Sequence, residues 1–410
     1  MRFFEKMKRT LVVALSIILA MSYLGGCRKS GRSDKLVLAV RSGTYAEVIK
    51  SCIPGFEEKT GITCEVIEFS EDDLHTEIFN DSISNKGKYD IVMLDGSWVA
   101  EFISEGVLAD LSANGYKLDD DIIPATTTIC INNGSTYLVP YYGNVTVMLY
   151  NKTVAEAAGY TPDDFDSLED IMKFCKISAA SGNGGFAVRG DTENNAVVDF
   201  LPILRAFGGW VVDENNKPTV NTPEFKEALK YYILLLNTGS TLPKDELISS
   251  IENSSEAVAV GWPGWYNSEN AVNSDYIAFP GKVYDDSENY NSNIYGIWTL
   301  GIPSNCCNKE SAVELLTYLM DPEVQKSTIA CGGVPCRYSC LTDPEILAEN
   351  PHLEVICSAL ENGIYRPVIQ EWPRFYTILG DKMIKVINGQ ESVDNGLLLA
   401  QNELEALMNE

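Results

Sequence analysis

Apolar runs alternate with helical spacings along the first hundred residues, and this alternation sets the fold class. KLVLAV (35–40) and ITCEVIEF (62–69) read as strands, and YDIVML (89–94) is apolar enough for a strand covered on both faces. Between them, 45–59 has helical spacing and stops at Gly61, and 72–83 suits a second helix. Strands alternating with helices predict a mainly parallel sheet flanked by helices, with ligands gathering where loops meet at the carboxyl ends of strands. Ser42 to Tyr45 and Asp95 to Trp98 fall at such ends.

Farther along, LVPYY (138–142) closes one strand and VTVMLY (145–150) opens another, and the Tyr-Gly-Asn break between them reads as a crossing between lobes. Helices are expected over 168–180, 200–207, 222–237 and 311–320, strands over 257–260 and 294–302, and a mainly helical tail from 344. A chain of 410 residues, 45% of them hydrophobic, is long for one core, so two lobes are expected. No low-complexity linker separates them. The chain must therefore pass between the lobes more than once.

The amino terminus follows a different pattern. Arg2, Lys6, Lys8 and Arg9 precede a nearly unbroken apolar run over 11–24, too short and wrongly flanked for a transmembrane helix but suited to a secretory signal. The run closes on Leu24-Gly25-Gly26-Cys27, which resembles the lipobox of bacterial lipoproteins. That resemblance implies cleavage of residues 1–26, a lipid on the sulfur of Cys27, and a short polar tether over 27–34. The expected address is the extracytoplasmic face of the bacterial cell membrane, held there by the anchor.

Charge narrows the partners. The chain has 31 basic and 58 acidic residues, and removing 1–26, with four bases and one acid, takes the net from −27 to about −30. Phosphate backbones need clustered Lys and Arg, so nucleic acid is excluded as a partner. Beyond Cys27 ten cysteines remain; in an oxidising exterior Cys52 and Cys64 are a plausible bridge, with buried thiols as the alternative. A metal at Cys331, Cys336 and Cys340 lacks a nearby histidine, since His75 and His352 are the only two. Asp119-Asp120-Asp121 and Asp285-Asp286 read as solvated surface, because neither shows a calcium-loop pattern. No cofactor is implied.

With these blocks laid out, the chain resembles the extracellular solute-binding proteins of ABC importers, in particular the sugar-binding group. The resemblance rests on ordered segments: PGFEEKTGITCEV (54–66), YDIVMLDGSWVAEFISEGVLADLS (89–112), LVPYYGNVTVMLYNKTVAEAAGY (138–160), AVAVGWPGWYN (257–267), YGIWTLGIPS (295–304) and YRPVIQEW (365–372). It implies a two-lobe, periplasmic-binding-protein-like α/β fold, each lobe a mainly parallel sheet flanked by helices. The lobes would comprise 35–140 plus 286–335 and 141–285 plus 336–410, with the ligand cleft at the hinge. It further implies a carbohydrate ligand (an oligosaccharide, monosaccharide or polyol) and delivery to the membrane permease subunits of the importer.

A sugar offers hydroxyls at its edge and C–H groups on its faces, so its site needs aromatic surfaces beside strong donors and acceptors. Three clusters qualify. Asp95 and Trp98 emerge past a buried strand, with helix-start packing as the competing role. Trp262 and Trp265 crowd, with Tyr266, a Gly/Pro loop unsuited to core, and Arg366 and Trp372 flank Pro-limited turns near the end. Tyr45, Tyr142, Arg189 and Trp298 are single candidates, the last competing with core packing inside a strand. The rival function is a secreted glycosidase using paired carboxylates such as Asp95 and Glu371. With 58 acids in the chain such pairs arise by chance, and no nucleophile elbow, His-Glu-x-x-His or phosphate loop occurs. Non-catalytic binding is the expectation. A metal or polyamine binder would want fewer tryptophans and more carboxylate or histidine.

Overall fold

The computed structural model describes residues 34–190, 192–265 and 272–410. The expected signal segment, Cys27 and Tyr266 lie outside the described residues. In chain order the main strands are β1 (Lys35–Arg41), β2 (Thr63–Phe69), β3 (Ile91–Asp95), β4 (Leu138–Tyr142), β5 (Val147–Asn151), β6 (Phe186–Ala187), β7 (Val258–Gly261), β8 (Ser274–Ile277), β9 (Ile294–Tyr295), β10 (Trp298–Gly301) and β11 (Ile364–Tyr365).

The first lobe is built on the sheet β2-β1-β3-β10-β4 and the second on β8-β5-β7-β6. All five residues of β3 are buried, as a strand covered on both faces requires. Helix α1 (Thr44–Thr60) buries Ile49, Cys52, Ile53 and Phe56, one stripe at helical spacing, and ends on Gly61 at φ 74°. Gly43, at φ 81°, makes the sharp turn from β1 into α1. Both sheets are mixed rather than mainly parallel. β1 pairs in parallel with β2 and β3, but β10 is antiparallel to both β3 and β4. In the second sheet β5 is antiparallel to β7 and β8. The antiparallel strands β5 and β10 each directly follow a crossing from the opposite lobe.

Three crossings meet in one place. Val145 bridges Tyr295, and β9 pairs in parallel with β11, so the segments near 145, 295 and 365 brace one another. Strand 294–302, expected continuous, breaks between β9 and β10. At Gly296 a Cβ would stand 2.7 Å from the Trp262 ring, so the chain bends around an indole from the facing lobe.

Two hydrophobic cores fill the molecule: the first covers the first sheet and continues onto the second through Leu149, Ala187, Ala259 and Tyr276, and the second lies on the second sheet and the tail helices. Leu38, Ile49, Val92, Leu300 and Leu316 belong to the first, and Phe174, Phe200, Val258, Leu379 and Leu404 to the second. The stretch 336–360, assigned from sequence to the second lobe, joins the core that spans both sheets through Cys336, Leu341, Leu353 and Ile356, with Arg337 bonded to Asp119 and Asp121 of the first lobe; from 369 onward the tail helices enter the second core. The apolar spacing of a helix marks which face is buried, not which core buries it.

Two smaller expectations are corrected. The ten cysteines after Cys27 are all thiols, so the Cys52–Cys64 bridge does not form. Cys52 lies buried in α1 with its Sγ donating to Val48 O at 3.4 Å, and Cys64 is half-buried on β2. Two large cores make covalent staples unnecessary. The acidic run at 119–121 is not merely solvated: Asp119 and Asp121 accept from the buried Arg337 Nη1 at 2.8 and 2.9 Å, tying that turn to the chain at 337.

Candidate ligand-binding cleft

Between the lobes, at the carboxyl ends of β1 and β3, lies a cleft of about 310 Å³. The first lobe contributes Tyr45 from the first turn of α1, Asp95 from the end of β3, Tyr142 from the end of β4 and Trp298 from the start of β10. The second contributes Arg189, just past β6, and Trp262 and Trp265, just past β7. Arg366, following β11 at the last crossing, closes the hinge side. Eight of the ten sequence-predicted residues thus meet in one space.

On the first-lobe wall the aromatics brace each other. Tyr45 stands 4.8 Å from Tyr142, edge-on, and 5.2 Å from Trp298. The Tyr142 hydroxyl donates to Gly332 O at 2.8 Å, which fixes its ring. Burial, with Glu71 adding to it, pushes the Tyr45 phenol well above its ordinary range, and burial does the same to Tyr142, so both stay protonated hydrogen-bonding groups.

Across the cleft the Arg189 guanidinium lies 5.7 Å from the Trp262 ring and 5.4 Å from that of Trp265. It is held from behind by the fully buried Asp199. One carboxylate oxygen accepts from Arg189 N at 2.9 Å and Nε at 3.2 Å, and the other accepts from Nη2. At the hinge, Arg366 Nη2 donates to Asp95 Oδ1 at 2.6 Å, and the same oxygen accepts from Ser97 N and Oγ at 2.9 and 2.6 Å. Asp95 keeps its other oxygen for a further donor.

Two predicted residues stand elsewhere. Trp98 is buried behind the wall, edge-on to Trp298 at 5.6 Å and to His75 at 5.1 Å, so it supports the site from beneath. Trp372 is fully buried in the second core, stacked on Phe375 at 5.5 Å, and does not line the cleft. Its helix start is turned inward by the apolar stripe it belongs to.

The cleft also holds residues that sequence reading did not single out. Arg41 and Glu71 stand at its first-lobe edge, Asn144 at the first crossing, Asn194 and Asn195 at the start of α2 (Glu193–Ala206), and Lys244 at the start of α3 (Lys244–Glu252). Arg41 ends β1 and was accessible to the strand-end rule; Lys244 opens a helix that no pattern had marked. Three polar atoms of these lining residues are buried with no hydrogen-bond partner in the protein: Arg41 Nε, Trp262 Nε1 and Asn194 Oδ1. The first two donate and the third accepts, and all three residues line the cleft.

This lining, aromatic faces set among amide and charged groups, suits reversible capture of a polar, ring-shaped solute. The profile of the family "Bacterial extracellular solute-binding protein" matches residues 40–326. The chain belongs to that family. Among its relatives is a probable amino-acid ABC transporter periplasmic-binding protein, y4oP, of Sinorhizobium fredii, 22% identical over 93% of this chain and 90% of that protein. The arabinooligosaccharide-binding protein of Bacillus subtilis is 22% identical over 85% and 84% of the two chains. A solute-binding protein from Agrobacterium radiobacter K84, solved with ribitol, superposes with a TM-score of 0.78 at 23% identity, covering 91% of this chain and 98% of that one. The two-lobe architecture of this extracellular solute-binding protein is therefore that of the solved members of the group.

Proposed function

We propose that this protein is the substrate-binding component of an ABC importer, that it captures a carbohydrate between its lobes, and that it passes it to the membrane permease. The observation that carries this reading is the opposition of Tyr45 and Trp298 on one wall to Trp262, Trp265 and Arg189 on the other. Such a sandwich meets the C–H faces of a sugar, while Asp95, Arg366 and Asn194 meet its hydroxyls. The names of the arabinooligosaccharide-binding relative and of the ribitol complex support the same class. Because residues of both lobes touch one ligand, bound ligand stabilises the closed arrangement, which is what a permease can recognise. A lipid on Cys27 holds the protein beside that permease and raises its effective concentration there.

The test is a thermal-shift and tryptophan-fluorescence titration of the delipidated protein with mono-, di- and oligosaccharides and polyols. A saturable shift with one class supports the reading. No shift with any of them, or binding of free amino acids instead, overturns it, and reducing ends released on long incubation would reinstate the glycosidase.

A further inference from the structure

We infer that the ligand of this cleft is an anionic carbohydrate, one bearing a carboxylate or phosphate, with its charge held by Arg41 at the amino end of α1 and answered from the facing lobe by Lys244. The inference rests on the carbohydrate reading above and narrows it.

The charge of the cleft runs against that of the chain. Acids outnumber bases 58 to 31 overall, yet the cleft is lined by four cations, Arg41, Arg189, Lys244 and Arg366, and two carboxylates, Asp95 and Glu71. Such an inversion concentrates positive potential where a negative ligand would enter. Two of the cations are matched by buried acids: Arg366 by Asp95, and Arg189 by Asp199. The other two are not matched in this way. Arg41 gives Nη1 to Ser42 Oγ at 2.9 Å, its Nε is buried without a hydrogen-bond acceptor, and its ion-pair partner among the described residues, the more exposed Glu71, stands no closer than 3.9 Å. Lys244 has no ion-pair partner among the described residues.

Hydrogen-bonding capacity leans the same way, since the unpartnered buried atoms of the lining residues are two donors, Arg41 Nε and Trp262 Nε1, against one acceptor, Asn194 Oδ1. α1 is 17 residues long, and its cap, Gly43, has no side chain to accept from the first-turn N–H groups. Ser42, Gly43 and Thr44 line the cleft at that end, beside Arg41. Independently, Trp262 lines the same space while only 7% exposed, and its Nε1 is buried with no acceptor. A neutral sugar hydroxyl donates as readily as it accepts, whereas a carboxylate or phosphate only accepts. A site with donors to spare fits the second kind of oxygen, and charge-assisted bonds from a guanidinium are the stronger ones.

The experiment is calorimetric titration of the delipidated protein with matched series: D-glucose, D-glucuronate and D-glucose 6-phosphate, and the corresponding galactose set. The expected result is that one acidic member binds about 10-fold or more tightly than its parent hexose, with a preference that weakens as salt is raised. In Arg41→Gln and in Lys244→Met that preference should collapse toward unity while the melting temperature stays near wild type. If Arg41→Gln unfolds, Lys244→Met, at an exposed helix start, gives the same reading. The carboxylate and phosphate arms separate the two sources of charge. A parent hexose bound as tightly as its acids, or a preference unchanged in both variants, overturns the inference and leaves the carbohydrate reading standing. Binding of no sugar, neutral or acidic, defeats the carbohydrate reading itself.

Discussion

Arg366 and Asp95 are 271 residues apart in sequence, yet their side chains meet at 2.6 Å with both nearly buried. Asp95 ends the central strand of the first lobe, and Arg366 follows the last crossing, so the pair ties the cleft floor to the hinge. Breaking a buried pair leaves one uncompensated charge, which costs about 3–5 kcal/mol. Asp95→Asn and Arg366→Met should each lower stability by that order in denaturant unfolding. The double variant should lose less than the sum, because the second change removes the stranded charge. Additive losses would show that the two do not act as a pair.

Trp262 and Trp265 flank Arg189 within cation–π distance. Replacing either tryptophan by Ala should weaken ligand binding by about 1–2 kcal/mol, read by titration, through lost stacking and a less ordered guanidinium. Arg189→Met should lower affinity and also the melting temperature, since Asp199 is fully buried and would lose its charge partner. Unchanged affinity in both tryptophan variants would remove this wall from the site.

Trp372→Ala supplies the contrast. The indole fills the second core against Phe375 and Tyr376 and does not border the cleft. Its loss should cost about 3–5 kcal/mol of stability while the folded fraction keeps wild-type affinity. A selective drop in affinity would return Trp372 to the ligand.

These contrasts show what was legible in the sequence. Strand ends are strongly marked, because β-strand and helix periods differ and glycine punctuates them. Tyr45, Asp95, Tyr142, Trp298, Trp262 and Trp265 all lie at or just beyond such ends, and all face the cleft. Trp98 and Trp372 carry the same local signals and turn into cores, because only tertiary packing decides which way a helix-start aromatic points. Lys244 was invisible for the opposite reason: an exposed lysine at a helix start has no local signature until the lobes face each other. The stretch 336–360 touches a core shared by both sheets, and order along the chain does not record such sharing.

Anchoring is tested separately from binding. Cys27→Ser should move the protein from the membrane to the soluble extracytoplasmic fraction while the purified protein binds ligand as before, since α1 and the cleft begin after the tether. Retention of the variant at the membrane would remove the lipid from the account.

The contact between α4 (His352–Glu361) and β8 should also be sensitive to acid. His352 opens α4, which shares a core with β8, and its ring lies 6.3 Å from that of Tyr276 on that strand. Burial lowers the imidazole to about 4, with Asp275 pulling weakly the other way, so the contact is made by the neutral ring. An unfolded histidine titrates near 6.5, so between those values the unfolded chain binds the extra proton. Stability from this site is therefore complete above about pH 6.5 and is lost as pH falls toward 4. The loss is up to about 3 kcal/mol, less what water at the part-exposed ring returns. Asp119, Asp121 and Asp343, held below the usual carboxylate range by Arg337, Ser339 and Lys326, give up their contribution at lower pH, so the windows separate. Melting curves at pH 7.5, 6, 5 and 4.5 should fall more steeply for wild type than for His352→Phe. The difference between the two proteins should grow only below pH 6.5. Parallel curves across that range would show that His352 does not couple protonation to the fold.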